Sequence, residues 1–597
     1  MGVRRRAPDP HAKHLHRTGP EHPRGADRQH RGRPAARRLR RGTGGRQRRV
    51  HVRHARGLPD PPGQARPADA RREHLRSGLR RAPDRRRRRR LLSLGPRRGT
   101  LRQGPAGQSR RGRSLALLRG DRRRAADVSA TSERREAATE LARVEERCAE
   151  LCELAGAAGA EQAEAYGQRV RLRSARFEKG ELALGKATDG TAIGLRVFDA
   201  GRLGFAHTNQ TDGEALERTA RDAAALAALT PPDEANGLCE PEGEPAGEPA
   251  GEPAPPDLWR ADTAALDVEA ALEHGARFVQ RMTASDPRVR IDEATLTVGR
   301  SHTALANGLG LRRAESDAWI SFGALGMAVE GNEVGGFHSV HDFVRDLGEL
   351  DQALERCADE LTGVALANLG AGAAESYRGP VLLAPSAFAA LVVSPIVSAS
   401  GAIAVQRGRS ALAGRLGERF ASERLTIHDD PSDPELAGAT GFDREGQPVA
   451  RRALVAEGRL EALMYNGYAA RVDGVATTGN AAGGPRSVPG LGAHGVCVAP
   501  GDGGDEEQML TALGRGLWVR RFSGTVDPIS GDFSGVAKGA CWVEGGRVTR
   551  SVRETLVAGN AFELASSILA LGSHSERCYG SARLPMALID SVSVTAG

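Results

Sequence analysis

No phenylalanine, tryptophan or tyrosine occurs before Tyr166 in this chain of 597 residues. Acidic residues are scarce over the same stretch. Residues 1–130 hold 39 Arg and 1 Lys against 9 Asp and Glu, a net charge of +31. Arg, Pro, Gly, Ala and His dominate, with the run Arg85–Arg90. Such a segment cannot bury enough apolar surface to offset the entropy of ordering it, so a disordered tail is expected. Three origins compete. The first is a start placed too early, so that GC-rich DNA is translated out of frame into Arg, Ala, Gly and Pro. The second is a basic tail that binds nucleic acid through its phosphates. The third is a targeting segment. No apolar stretch follows the N-terminus, which argues against a secretory signal. The first origin suits the composition best and puts the true start near Val128–Ser132.

Cysteine is also sparse. Cys148, Cys152, Cys239, Cys357, Cys497, Cys541 and Cys578 are scattered and odd in number. That fits reduced thiols in a cytosolic protein better than a disulfide framework. Cys148 and Cys152 stand i, i+4 on a helical pattern, and two ligands are too few for a metal site. Outside the tail the charge reverses: 45 basic against 66 acidic residues gives −21, which with +31 restores the overall +10. An acidic body of this kind does not bind DNA unaided.

Charge of either sign is missing from the 28 residues between Arg378 and Arg407. A membrane span needs about 20 apolar residues, so length alone allows one. Pro385, Pro395, several serines and small residues dilute the hydrophobicity, and no second span accompanies it. The run therefore reads as a buried helix of a globular domain.

What is present reads as an α+β protein of two domains, mainly antiparallel sheets with packed helices. From Ser132, the residues Leu141, Val144, Cys148, Leu151 and Leu154 recur near helical spacing. A meander comes next, with turns expected at Glu178–Gly180, Asp189–Gly190 and Asp199–Gly201. Helices are expected over 212–229, with a polar start at Asp212, over 267–285 and over 346–371, and Asn307–Gly308 signals a hairpin. The acidic loop 240–256 repeats GEPA three times and reads as solvated low complexity. The expected domains are 1–130 as Arg-rich extension, 131–375 as an α+β domain, and 376–597 as a β-rich domain.

Four stretches carry a family resemblance, in order: GRSALAGRLGERFASERLTIHDDP (408–431), GFDREGQPVARRALVAEGRLEALMYNGYAARVDG (441–474), TTGNAAGG (477–484) and GTVDPISGDFSGVAKGACWVEGGR (524–547). The chain ends RLPMALIDSVSVTAG. Together they resemble the TldD/PmbA family of metallopeptidases, also called modulators of DNA gyrase, over about 140–597. The resemblance implies two branches. In the TldD-type branch a helix carries HExxxH and a C-terminal Cys completes a zinc site. PmbA-type chains lack the motif and pair with a TldD-type subunit. Here the matching helix is the uncharged run, with Ser394, Pro395 and Val397 where ligands and base would stand. The dipeptide His-Glu occurs nowhere in the chain. The resemblance therefore implies a non-catalytic PmbA-type subunit of a cytoplasmic peptidase complex that degrades or processes unfolded peptides. This chain would hold no catalytic residue and no metal ligand, and zinc and hydrolysis would belong to the partner. A homo-oligomer is left open, and no membrane association is expected. The alternative is a DNA-associated regulator acting through the basic tail.

The remaining candidates have plainer readings. Cys578 is a lone thiol without histidine partners. His338 and His341 would face one way only on a helix, and their surroundings read as strand. Asp429, Asp430, Asp527 and Asp532 read as turn-forming residues. TTGNAAGG lacks the Lys-Ser/Thr ending of a phosphate loop. Its family counterpart borders the peptide cleft. Asn466, Tyr468, Thr478 and Asn480 are the expected peptide-cleft or interface positions.

Overall fold

Strand β1 (Gln162–Glu178) turns through Lys179 and Gly180, both at positive φ, into β2 (Glu181–Asp199). The structure is a computed structural model that describes residues 110–239, 256–553 and 555–597, with side chains from Thr131. The tail up to residue 109 and nearly all of the GEPA loop lie outside the described residues. β3 (Arg202–Thr208), β4 (Val289–Asn307) and β5 (Arg312–Glu330) complete an antiparallel order β3-β2-β1-β4-β5, and the strand His338–Val344 pairs with β5.

One face of this sheet is covered by helices. Helix α1 (Arg110–Ala157) lays Val144, Cys148, Leu151 and Ala155 against Ala163 and Ala165 of β1. Leu141 and Leu154 of the expected stripe are only half-buried. Gly167 lets the helix come this close, because a Cβ there would meet Cys148 Sγ at 2.7 Å. The helices Gly213–Leu229, Val268–Ser285 and Leu347–Ala367 begin at Asp212, Asp267 and Asp346, whose carboxylates accept the N–H groups of Ala215, Ala270 and Gly348. These caps satisfy donors that the first turn leaves open. The turn expected at Asp189–Gly190 does not form. Asp189 stays in β2, where its carboxylate meets Arg173 on the neighbouring strand at 2.7 Å. The cross-strand pair removes the reason for the chain to turn.

Residues 377–595 build a second, 13-stranded sheet. Its strand Tyr377–Leu383 lies between Arg515–Val519, parallel, and Ala582–Thr595, antiparallel. The uncharged run is therefore not one helix. Its first residues lie in a central strand whose Val381, Leu382 and Leu383 are fully buried, which is why these carry no polar alternation. Helix begins at Pro385. Among the described residues, no helix is long and apolar enough to cross a membrane.

Candidate functional site

Phe388, Leu391, Val392 and Ile396 point into the core beneath the second sheet, each essentially inaccessible. Burial of each contributes roughly 1.5–3 kcal/mol. The opposite face of the same helix is open, and Ser394 and Ser398 are exposed on it. Pro395 cannot donate a backbone hydrogen bond. The turn before it widens, so that Ser394 N–H reaches Ala389 O five residues back. Such π-turns re-aim side chains.

The chain then bends at Gly401. Ala402 N–H donates to Met464 O, and Met464 N–H to Ser400 O, which seats Met464 beside the helix. The short helix Ala402–Gln406 ends in a paired stop. Gly408 N–H reaches Val405 O at 2.9 Å and Arg409 N–H reaches Ala404 O at 2.8 Å, with Gly408 at φ +63°. This is the Schellman arrangement, and its left-handed residue favours glycine. It fixes Arg407 and Arg409 on either side of one glycine. Gln406 Nε2 donates to Ala469 O and ties this turn to the helix Gly467–Asp473.

A cleft of about 660 Å³ opens between this segment and the loop 491–496. Its walls are apolar: Ala389, Val393, Val397, Met464, Leu491 and Leu584. Its polar groups are the hydroxyls of Ser394, Ser398 and Ser581, the imidazole of His494, and the two arginines at the lip. Among the described residues, no carboxylate and no thiol lines it. His494 Nε2 lies 2.8 Å from Gly479 O. A carbonyl only accepts, so Nε2 carries the proton.

The loop wall is held from behind. Asp429 accepts the N–H groups of His494 and Gly495 at 2.7 and 2.9 Å and the Asn480 amide at 2.7 Å. It lies on a strand and braces the cleft, which differs from the turn expected of it. Asp430 does form that turn, accepting from Ser432 N–H. Of the four expected positions, Asn480 joins this brace and Thr478 donates to its Oδ1 at 2.6 Å. Asn466 caps the helix Gly467–Asp473 and donates to Gly490 O. Tyr468 donates to Asp233 at 2.9 Å, which raises its phenol, while nearby Arg407 opposes the shift. Asn480 and Thr478 thus belong to the brace behind the wall, Asn466 and Tyr468 stand at the start of the helix Gly467–Asp473, and none of the four is a lining residue.

Cys578 is buried, and desolvation pushes its thiol up to about 12. His338 is fully buried against Glu360, while His341, three residues along the strand, lines a different groove. That groove, of about 1010 Å³, has its Asp317 and Asp342 committed to Arg345 and Arg577. Among the described residues, no group of three or more His, Cys, Asp and Glu side chains is placed to hold a metal ion.

Sequence reasoning missed two features. The first is the lip, although Arg407-Gly408-Arg409 directly ends the uncharged run. The second is a buried charged joint between residues 162–344 and the turn 441–447. Arg196 forms a two-pronged pair with Glu164, both bonds 2.8 Å, and reaches Glu445 at 2.7 Å. Arg444 reaches Glu164 at 3.1 Å and stacks 4.0 Å above the Tyr166 ring. Burial pushes the Glu445 carboxyl up, but Arg196 and the Gly467 N–H outweigh it and hold it below the usual range. Asp443 accepts from Glu445, Gln447 and Ala481 N–H groups, yet burial and the Glu445 charge raise it to about 7.

Comparison with known proteins agrees with this architecture. The family described as PmbA/TldA metallopeptidase C-terminal domain matches residues 376–596, and PmbA/TldA metallopeptidase domain 1 matches residues 163–227. The chain is 27% identical over 442 residues to a protein named metalloprotease PmbA from Escherichia coli O157:H7, covering 69% of this chain and 91% of that one. It is 26% identical to a metalloprotease PmbA homolog from Haemophilus influenzae, over 71% and 90% of the two chains. The crystal structure of TldE from Thermococcus kodakarensis shares the fold, with TM-score 0.66 at 22% identity over 74% of this chain and 99% of that one. With the second sheet matched throughout, the first matched over residues 163–227, and the four ordered motifs falling within the matched C-terminal part, the chain belongs to the TldD/PmbA family.

Proposed function

We propose that this chain is a PmbA-type subunit of a cytoplasmic TldD/PmbA peptidase complex, one that handles peptide and leaves bond cleavage to a TldD-type partner. The observation that carries the reading is the cleft itself. It keeps an open, peptide-sized volume along the helix that bears the motif in the TldD-type branch, but its donor set does not fit zinc. A zinc site uses imidazole, thiolate or carboxylate ligands, three of them in a catalytic centre. Here the helix offers Ser394 and Ser398, and the cleft holds a single imidazole where three such ligands are needed.

What the cleft can do is bind. Apolar walls accept a side chain, and the hydroxyls, with the backbone of the loop 491–496, can pair with an extended backbone in the manner of strand addition. The substrate class that fits is an unfolded peptide or a flexible protein segment. Zinc is then expected on the partner subunit and not on this chain.

Reconstitution tests this. Hydrolysis of an unstructured reporter peptide is measured with this chain alone, with a TldD-type subunit alone, and with both. Full activity only in the mixture is expected. Hydrolysis by this chain alone, at the rate of the mixture, would overturn the proposal.

A further inference from the structure

Among the described residues, neither Arg407 nor Arg409 pairs with a carboxylate, in contrast to Arg444, Arg577 and Arg583 of the same domain. Of the described residues that line the cleft, they alone carry a full charge. Both are exposed, and a rigid helix stop holds them there. Immediately inward the walls turn apolar at Val393, Val397 and Leu491. A ligand that offers an anion beside an apolar group would meet both features at once.

We infer that the cleft of this chain binds the C-terminal end of a peptide, with the α-carboxylate held by Arg407 and Arg409 and an apolar last side chain seated inward. The inference rests on reading the chain as a peptide-handling subunit. An interior acidic residue suits the cleft less well. In an extended peptide neighbouring side chains point to opposite faces, so an Asp or Glu and its apolar neighbour cannot both enter. A chain end carries both groups on a single Cα. Guanidinium groups match a carboxylate in planar, two-pronged geometry, which an amide end cannot return. The exposed hydroxyls of Ser394 and Ser398 stand along the inward path as donors or acceptors for the last peptide units.

The test uses the full chain and fluorescent octapeptides ending in Leu, as free acid, as C-terminal amide, and as amide with Glu placed two residues before the end. Binding of the free acid about tenfold tighter than either amide is expected. The double substitution R407A/R409A should abolish that preference. R407K/R409K should keep part of it. S398E, which places a competing carboxylate inside the cleft, gives an independent loss of preference should the double variant fold poorly. Equal binding of acid and amide, tighter binding of the interior Glu peptide, or a preference that survives R407A/R409A would each overturn the inference. The underlying reading fails differently: it falls if no peptide binds and the reconstituted complex cleaves no faster than the partner alone.

Discussion

The joint and the cleft use arginine in opposite ways. At the joint, Arg196 and Arg444 are buried and matched by Glu164 and Glu445. At the cleft, Arg407 and Arg409 face solvent, with no acid opposite among the described residues. A buried charge without a partner costs several kcal/mol, so each arginine of the joint needs its acid in the folded chain. An exposed arginine carries no such penalty and can wait for an anion. The contrast separates residues that hold the fold from residues free to receive a ligand.

The largest way to break the contrast is to remove one acid from the joint. Glu164→Ala strands Arg196 and Arg444 and should lower unfolding stability by about 3–5 kcal/mol, read from urea denaturation. Gly446 is next. It sits at φ +75°, and a Cβ there would lie 2.9 Å from Leu311 and 3.0 Å from Leu305. Gly446→Ala should cost about 1–2 kcal/mol for the left-handed backbone, with roughly 1–3 kcal/mol more from crowding. The same denaturation series measures both.

Asp443 adds a pH dependence. Its carboxyl rises from an ordinary 3.8 to about 7 in the folded chain. Between those values the folded state binds more protons than the unfolded one. The stabilisation from this group is therefore full below about pH 4 and is lost as pH rises through 7, with a slope of up to about 1.4 kcal/mol per pH unit. Asp443→Asn should flatten that slope. It should also lower stability by about 1–3 kcal/mol, because an amide cannot accept at both ends. Stability that rises between pH 4 and 7 specifically because Asp443 is present would contradict the assignment. The smallest effect belongs to the cleft: Ser394→Ala should leave stability within about 0.5 kcal/mol. A larger loss would mean that the cleft face is structural after all.

The three helices were legible to within a residue of their starts, and the start at Asp212 outright, because capping is local. Asp212, Asp267 and Asp346 stand directly before their helices, and each cap closes within three residues. His338 and His341 were legible as strand residues for the same reason. Asp189–Gly190 misled, since the partner that keeps it extended is on another strand. The joint was harder still, because Glu164 meets Arg444 across 280 positions and nothing in the motif GFDREGQ tells which sheet it enters. The uncharged run hid its division into strand and helix because a central strand and a buried helix are both apolar throughout, so periodicity does not distinguish them. Asn466, Tyr468, Thr478 and Asn480 came from resemblance to a cleft loop. The structure places Asn480 and Thr478 in the hydrogen-bonded layer behind that loop, and Asn466 and Tyr468 at the start of the helix that Gln406 ties to the lip.

Metal content tests the central claim most directly. The full-length chain, purified alone, is incubated with excess zinc, passed through a desalting column, and assayed for bound metal by mass spectrometry of the elements. Substantially less than one zinc per chain is predicted, and a TldD-type subunit treated in parallel should retain its ion. One zinc per chain, lost on substitution of His494 or of the cleft serines, would contradict the account.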